Sequence, residues 1–329
     1  MGISGRLTTG ALCLSIAVLV MTPSGAAAQA FPNKPVRIVV HTGTGSVIDL
    51  LARVLGEKLS ASWGQQVIVE NKPAAGGMVA ADSVAKSAPD GHTLFLSAET
   101  PITVLPSLHS KLPYDPIRDF APVSLLARIH YVLVVNALLP VNSVPELIAY
   151  LRANPGKVNF GSPGNGMGHH LGMELFKSMA KVDAVHVPYK TNAAAVTDLV
   201  ANQISMMFNS LGMVQPHIKA GKLRPIAVGW SSPVAQLPDL PTVAQSGNLP
   251  GFELVTWVGL FAPAATPPEV IGKIHAESVR LIKTPELTDR FTALAFEIVG
   301  STPAELREVV RTDGQKWGQI VRQSGARID

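Results

Sequence analysis

The sequence predicts an α/β protein of two lobes, each a mostly parallel sheet flanked by helices. A β-branched run, Val36 to Val40, passes through the turn Gly43-Thr-Gly45 into apolar residues at helical spacing, Ile48, Leu51, Leu55 and Leu59, and a second such run follows at Val67 to Glu70. Strand, helix and strand in that order mark a parallel sheet, because parallel neighbours need a crossover between them. The arrangement recurs: a strand from Val158 enters Gly161-Ser-Pro-Gly-Asn-Gly-Met-Gly168, then a helix whose Leu171, Leu175, Phe176 and Met179 share one face. At 329 residues the chain can build two sizeable cores.

The other elements follow in order. The spacing predicts a helix near Met78 to Ser87, a turn at Pro89-Asp-Gly91, and strands at Thr93 to Leu96 and Tyr131 to Asn136. Ser143-Val-Pro-Glu146 is a capping box for a helix that ends at Pro155-Gly156. Val185 to Pro188, Ser205 to Phe208 and Arg224 to Val228 read as strands. The C-terminal part reads as mainly helical, with capping boxes at Thr266-Pro-Pro-Glu269 and Thr302-Pro-Ala-Glu305, each with a proline in the first turn.

Residues 1–30 read as a secretory leader cut near Ala30: one charge, Arg6, then an apolar run from Ala11 to Met21, then Ala28-Gln29-Ala30. That run is too short for a permanent membrane span, and no later one approaches the ~20 residues required. The mature chain is therefore expected to be exported. Cys13, the only cysteine, lies in the leader behind Leu12, where a lipid-anchored leader needs a small residue, so the mature chain has no thiol or disulfide chemistry. The formal charge of +4 falls to +3 without Arg6 and is scattered, which gives nucleic acid no basic stripe and suits an anionic ligand.

Ser46 and Asp49 have capping-box spacing, so a helix starts at Val47 with backbone N–H groups facing the loop. Such a tip carries roughly half a positive charge, and Gly43 and Gly45 let the backbone approach a ligand, which favours a carboxylate or phosphate. A lone loop could be merely a tight turn, but residues 161–168 supply a second tip, and two tips can close on one small anion. As a dinucleotide fingerprint the first loop is weak: Ile48 stands where the third glycine belongs, although Glu70 mimics the ribose acid. As a P-loop the second fails, since Met167 and Gly168 replace Lys and Ser/Thr. No nucleophile elbow, zinc-protease motif or glycosidase acid pair is present, so no enzyme is read here. His169 and His170 would point ~100° apart on a helix, poor geometry for a metal, and no cofactor is implied. His170 is read as a polar contact at the helix start, His186 as structural, and Trp257 as core in preference to cleft wall.

Together the segments are identified with a family. Phe31-Pro-Asn-Lys-Pro35, Val69-Glu-Asn-Lys-Pro-Ala-Ala-Gly-Gly77, Ala88-Pro-Asp-Gly-His-Thr-Leu94, Leu112-Pro-Tyr-Asp-Pro116 and Asp119-Phe-Ala-Pro-Val123 are followed by Gly161-Ser-Pro-Gly-Asn-Gly166, His186-Val-Pro-Tyr-Lys190, Pro216-His-Ile-Lys-Ala-Gly-Lys-Leu223 and Leu237-Pro-Asp-Leu-Pro-Thr-Val243. In this order they resemble the Bug-type periplasmic receptors of tripartite tricarboxylate transporters. The resemblance implies a type II-like periplasmic binding protein fold: residues 31–128 plus 253–329 as one lobe, 129–252 as the other, and two crossing strands as the hinge. It also implies a monomer that holds a small organic carboxylate and delivers it to membrane permease subunits.

Carried over by residue, the ligand is met by Thr42, Gly43, Thr44, Gly45 and Ser46, by Ser97, Ala98, Glu99 and Thr100, and by Ser162, Asn165, Gly166, Met167 and Gly168. Asn209 completes the set carried over, Asp49 caps the first helix, and His170, read from its place at the second helix start, is added as a ligand contact. Thr42, Gly43 and Thr44, following His41, replace the family's aromatic and prolines. Asn209 replaces an acid that would hold an α-ammonium, so amino acids are expected to be poor ligands. Met167 replaces a serine, which points to an aromatic or medium-chain dicarboxylate with an apolar middle. Glu99 would repel an anion unless it is protonated, accepts a ligand hydroxyl or points to solvent. A signalling subunit using the same pocket is the alternative role, and a secreted hydrolase a remoter one.

Overall fold

The computed structural model describes residues 1–2, 31–234 and 236–324, so most of the leader, with Cys13 and the cut near Ala30, lies outside the described residues. Among them the strands are β1 Val36–Val40, β2 Val67–Asn71, β3 Thr93–Ser97, β4 Phe120–Asn136, β5 Asn159–Ser162, β6 Val185–Pro188, β7 Met206–Ser210, β8 Leu223–Val228, β9 Val255–Pro263 and β10 Phe296–Ile298. The helices are α1 Val47–Trp63, α2 Met78–Ala85, α3 Leu105–Leu108, α4 Val144–Ala153, α5 Gly168–Ala180, α6 Asn192–Val200, α7 Leu211–Lys219, α8 Val243–Ser246, α9 Pro268–Ile282, α10 Pro285–Thr292 and α11 Pro303–Ser324. No described helix is long and apolar enough to cross a membrane.

Two parallel sets are joined through antiparallel strands. In the first, β1 pairs in parallel with β2 and β3. In the second, β5 pairs in parallel with β6 and β7. The seventeen-residue β4 serves both: Phe120–His130 pairs with β9, and Tyr131–Asn136 with β7 and β8, all antiparallel. β9 also pairs antiparallel with β3 and so lies between β3 and β4.

Burial explains the helices. Ile48, Leu51, Leu55 and Leu59 of α1 pack with Ile38, Leu96 and Leu260 in one core, while Leu171 and Phe176 of α5 pack with Phe160, Phe208 and Phe252 in another. Full burial of such side chains is worth ~1.5–3 kcal/mol each. α11 reaches two cores, placing Leu306 and Val310 with Trp257 and Phe261, and Trp317 with Leu133 and Phe176.

Three local readings need adjustment. The strand expected at Tyr131 begins at Phe120, because irregular register around Pro122 and Leu125 hides the alternation of the first half. The C-terminal part includes β9 and β10 as well as helices. The capping box at Thr302 forms, with reciprocal bonds between Thr302 and Glu305, whereas that at Thr266 does not. Pro267 is extended at ψ 138°, so α9 starts one residue later and the Thr266 hydroxyl donates to Pro263 O at 2.7 Å instead.

Candidate ligand-binding cleft

The two glycine loops line one cavity of about 470 Å³, together with residues 98–100, residues 190–193, Tyr131, Ser210 and Thr256. Four helices, α1, α5, α6 and α7, begin at its wall, where their capping residues Ser46, Met167, Thr191 and Ser210 all line it. The first backbone N–H groups of a helix have no partner within it, and each start is electropositive. Lys190 is the only lysine or arginine, and Glu99 the only aspartate or glutamate, among the described lining residues.

The first loop is held by Asp49. Its Oδ2 accepts Gly45 N at 2.9 Å and Arg53 Nε at 3.0 Å, and its Oδ1 accepts Asn71 Nδ2 at 2.9 Å. Ser46 Oγ accepts Asp49 N at 3.1 Å and lies 2.7 Å from Thr42 Oγ1, which closes the cap. Burial alone would raise the Asp49 carboxyl, but the bonds from Arg53, Gly45 and Asn71 outweigh it and hold it below the ordinary aspartate value. A depressed carboxyl stabilises the fold above its unfolded value and ceases to do so as pH falls through its folded one. Asp49→Ala leaves those donors unmet and is expected to cost ~2–4 kcal/mol. Thermal melts at pH 7 and pH 3 check this: the deficit should be large at pH 7 and shrink in acid.

The second loop rests on a stack of rings. His186 lies over Phe160 with centroids 4.8 Å apart and over His170 at 4.0 Å. His186 Nε2 is 2.6 Å from Ser162 Oγ, and His170 Nδ1 accepts Gly166 N at 3.1 Å. Burial, with the nearby Lys177, lowers both imidazoles to about 4. The structural reading of His186 and the polar contact expected of His170 describe this stack.

Of the residues expected to meet the ligand, Thr42 to Ser46, Ala98 to Thr100, Asn165, Met167 and Gly168 line the cleft, and Ser97, Ser162, Gly166, His170 and Asn209 do not. Ser97 is fully buried and its hydroxyl turns to Ala98 O at 2.9 Å. Ser162, Gly166 and His170 are occupied in the supports beneath the loop. Asn209 exchanges two amide bonds of 3.0 Å with Asn192, and it is Asn192 that lines the wall. Glu99 does not reach solvent; it is 2% exposed. Trp257 packs in the core and donates Nε1–H to Asp313 Oδ2 at 3.0 Å.

Sequence reading missed Tyr131, Lys190 to Ala193, Ser210 and Thr256, and gave His169 no place in the cleft. Thr191, which accepts Ala194 N at 3.2 Å and so caps α6, was the one readable signal. Tyr131 and Thr256 lie inside strands, where only the fold decides which face meets the cavity.

The family model described as "Tripartite tricarboxylate transporter family receptor" matches residues 51–326. The chain belongs to this family. It is 37% identical over 306 residues to the UPF0065 protein in the tcbD-tcbE intergenic region of a Pseudomonas sp., covering 92% of this chain and 91% of that one. A Rhodopseudomonas palustris protein solved with adipate superposes with a TM-score of 0.85 at 31% identity, covering 90% of this chain and 98% of the other. MatC from the same organism, solved with bound malate, superposes at 0.82 with 30% identity, covering 88% and 100%. The receptor therefore has the α/β fold of the periplasmic binding proteins, and its family binds solutes and does no catalysis.

Proposed function

We propose that this receptor captures a small di- or tricarboxylate, or an aromatic carboxylate, in the periplasm and delivers it to the membrane permease subunits of a tripartite transporter. The convergence of four helix starts on one cavity carries the reading, because backbone N–H groups and helix dipoles solvate a carboxylate without a fixed counter-ion. The adipate and malate of the two solved relatives are ligands of that chemistry. In this reading residues 31–128 with 253–329 and residues 129–252 act as two lobes that close on the ligand about β4 and β9. Met167, Met213, Ile48 and Ile129 line the cavity and supply apolar wall for a ligand's middle.

A thermal-shift panel of mono-, di- and tricarboxylates, aromatic acids and amino acids tests the proposal. A matching acid at one hundred times its dissociation constant is expected to add about 2.7 kcal/mol of stability. Amino acids should give little shift, since the Asn209 amide is engaged with Asn192 and no acid stands in its place. No shift with any acid, or a shift with amino acids alone, overturns the reading.

A further inference from the structure

Glu99 is buried at the cleft wall with an unanswered oxygen. Its Oε1 accepts the Thr256 hydroxyl at 3.2 Å, while its Oε2 has no hydrogen-bond partner within the protein. The same carboxyl lies against the start of α5: a Cβ added at Gly168 would stand 2.6 Å from Oε1. Around it are Tyr131 of β4, 2.9 Å from Thr256 Oγ1, and His169 of α5, whose Nδ1 is 3.5 Å from the Tyr131 hydroxyl. Asp313 and Lys316 of α11 act on it electrostatically with opposite signs.

Burial, and after it the Asp313 charge, push the Glu99 carboxyl up to about 8, so at neutral pH it is a carboxylic acid. His169 and His41 are likewise neutral, lowered to about 4 by burial. An acid whose second oxygen has no acceptor in the protein carries an O–H for something else. The electropositive helix starts draw a carboxylate to that place.

We propose that Glu99 contacts the ligand directly, its Oε2–H donating to a ligand carboxylate, so that the receptor selects ligands presenting a carboxylate there and rejects those presenting an ammonium. The inference rests on the carboxylate-receptor reading. A carboxylate partner favours the protonated form of Glu99. The ligand then binds with the proton retained below the free-state value and takes one up from solvent above it. Affinity is level in mild acid and falls about tenfold per unit once pH exceeds that value.

Calorimetric titration of adipate and of malate, in buffers of different ionisation enthalpy at pH 6 and pH 9, tests this. Wild type should take up almost no proton at pH 6 and close to one at pH 9, with roughly tenfold weaker binding there. Glu99→Gln keeps a donor that does not titrate, and should show no uptake at either pH and no loss of affinity between them. Carbon-13 NMR of the wild-type Glu99 carboxyl should find it ionised at pH 9 in the free receptor and protonated in the complex, a result independent of how the variant folds. Proton release on binding, equal uptake in Glu99→Gln, or an ionised carboxyl in the complex each overturns this inference and leaves the carboxylate reading standing. Where neither acid binds, the panel acid with the largest thermal shift is titrated in their place, and no binding by any acid overturns the two readings together.

Discussion

Under the proposed function, Gly43→Trp is expected to abolish binding of whichever carboxylate the thermal-shift panel identifies, lowering affinity at least ~100-fold, while the ligand-free receptor melts within about 2 °C of wild type. Gly43 lines the cleft, a Cβ built on it meets nothing within 4 Å, and its φ lies outside the left-handed region. The Cβ of a larger residue is therefore accommodated at the cavity wall without displacing protein atoms. The indole is a large apolar group placed at the wall of a cavity of about 470 Å³. Gly168 would be a poorer choice: its Cβ would strike Glu99 Oε1 and approach Thr256 Oγ1 at 3.2 Å, mixing lost binding with strain. Calorimetry and a thermal melt together read the outcome. Undiminished binding by Gly43→Trp would place the ligand elsewhere in the molecule.

Glu99→Gln should melt several degrees above wild type at pH 8 when no ligand is present, and the gap should close towards pH 4.5. In the unfolded chain this carboxyl ionises from its ordinary 4.5, whereas in the fold it keeps its proton to about 8. Between those values the unfolded state binds fewer protons, so wild-type stability falls as pH rises. The loss ends once the folded carboxyl also ionises. Glutamine has the shape of the neutral acid and takes no part in that titration. Melts at half-unit intervals from pH 4.5 to pH 9 would show the two curves diverging. Parallel curves would mean that Glu99 is already ionised in the fold.

The elements legible in the sequence were those whose cause is local. The run Val36 to Val40, the Ser46–Asp49 cap and the helical spacing of Ile48, Leu51, Leu55 and Leu59 each act within a few residues, and β1 and α1 appear where those signals stand. The two glycine loops were readable for the same reason, and the structure brings both to one cavity. What stayed hidden depends on long-range pairing. Tyr131 and Thr256 face the cleft on β4 and β9, which pair antiparallel beside it, and the Asn209–Asn192 exchange needs the start of α6 brought to β7. Glu99 was visible as a residue, but its burial and protonation arise from β9 and α11, more than 150 positions away.

The insertion of β9 between β3 and β4 also fixes an order of events. Residues 255–263 must arrive before either flanking strand can complete its ladder, so a nascent chain exposes two open edges until nearly four-fifths of it has been synthesised. Until residues 255–263 are available, β3 and β4 each lack the neighbour that bridges them.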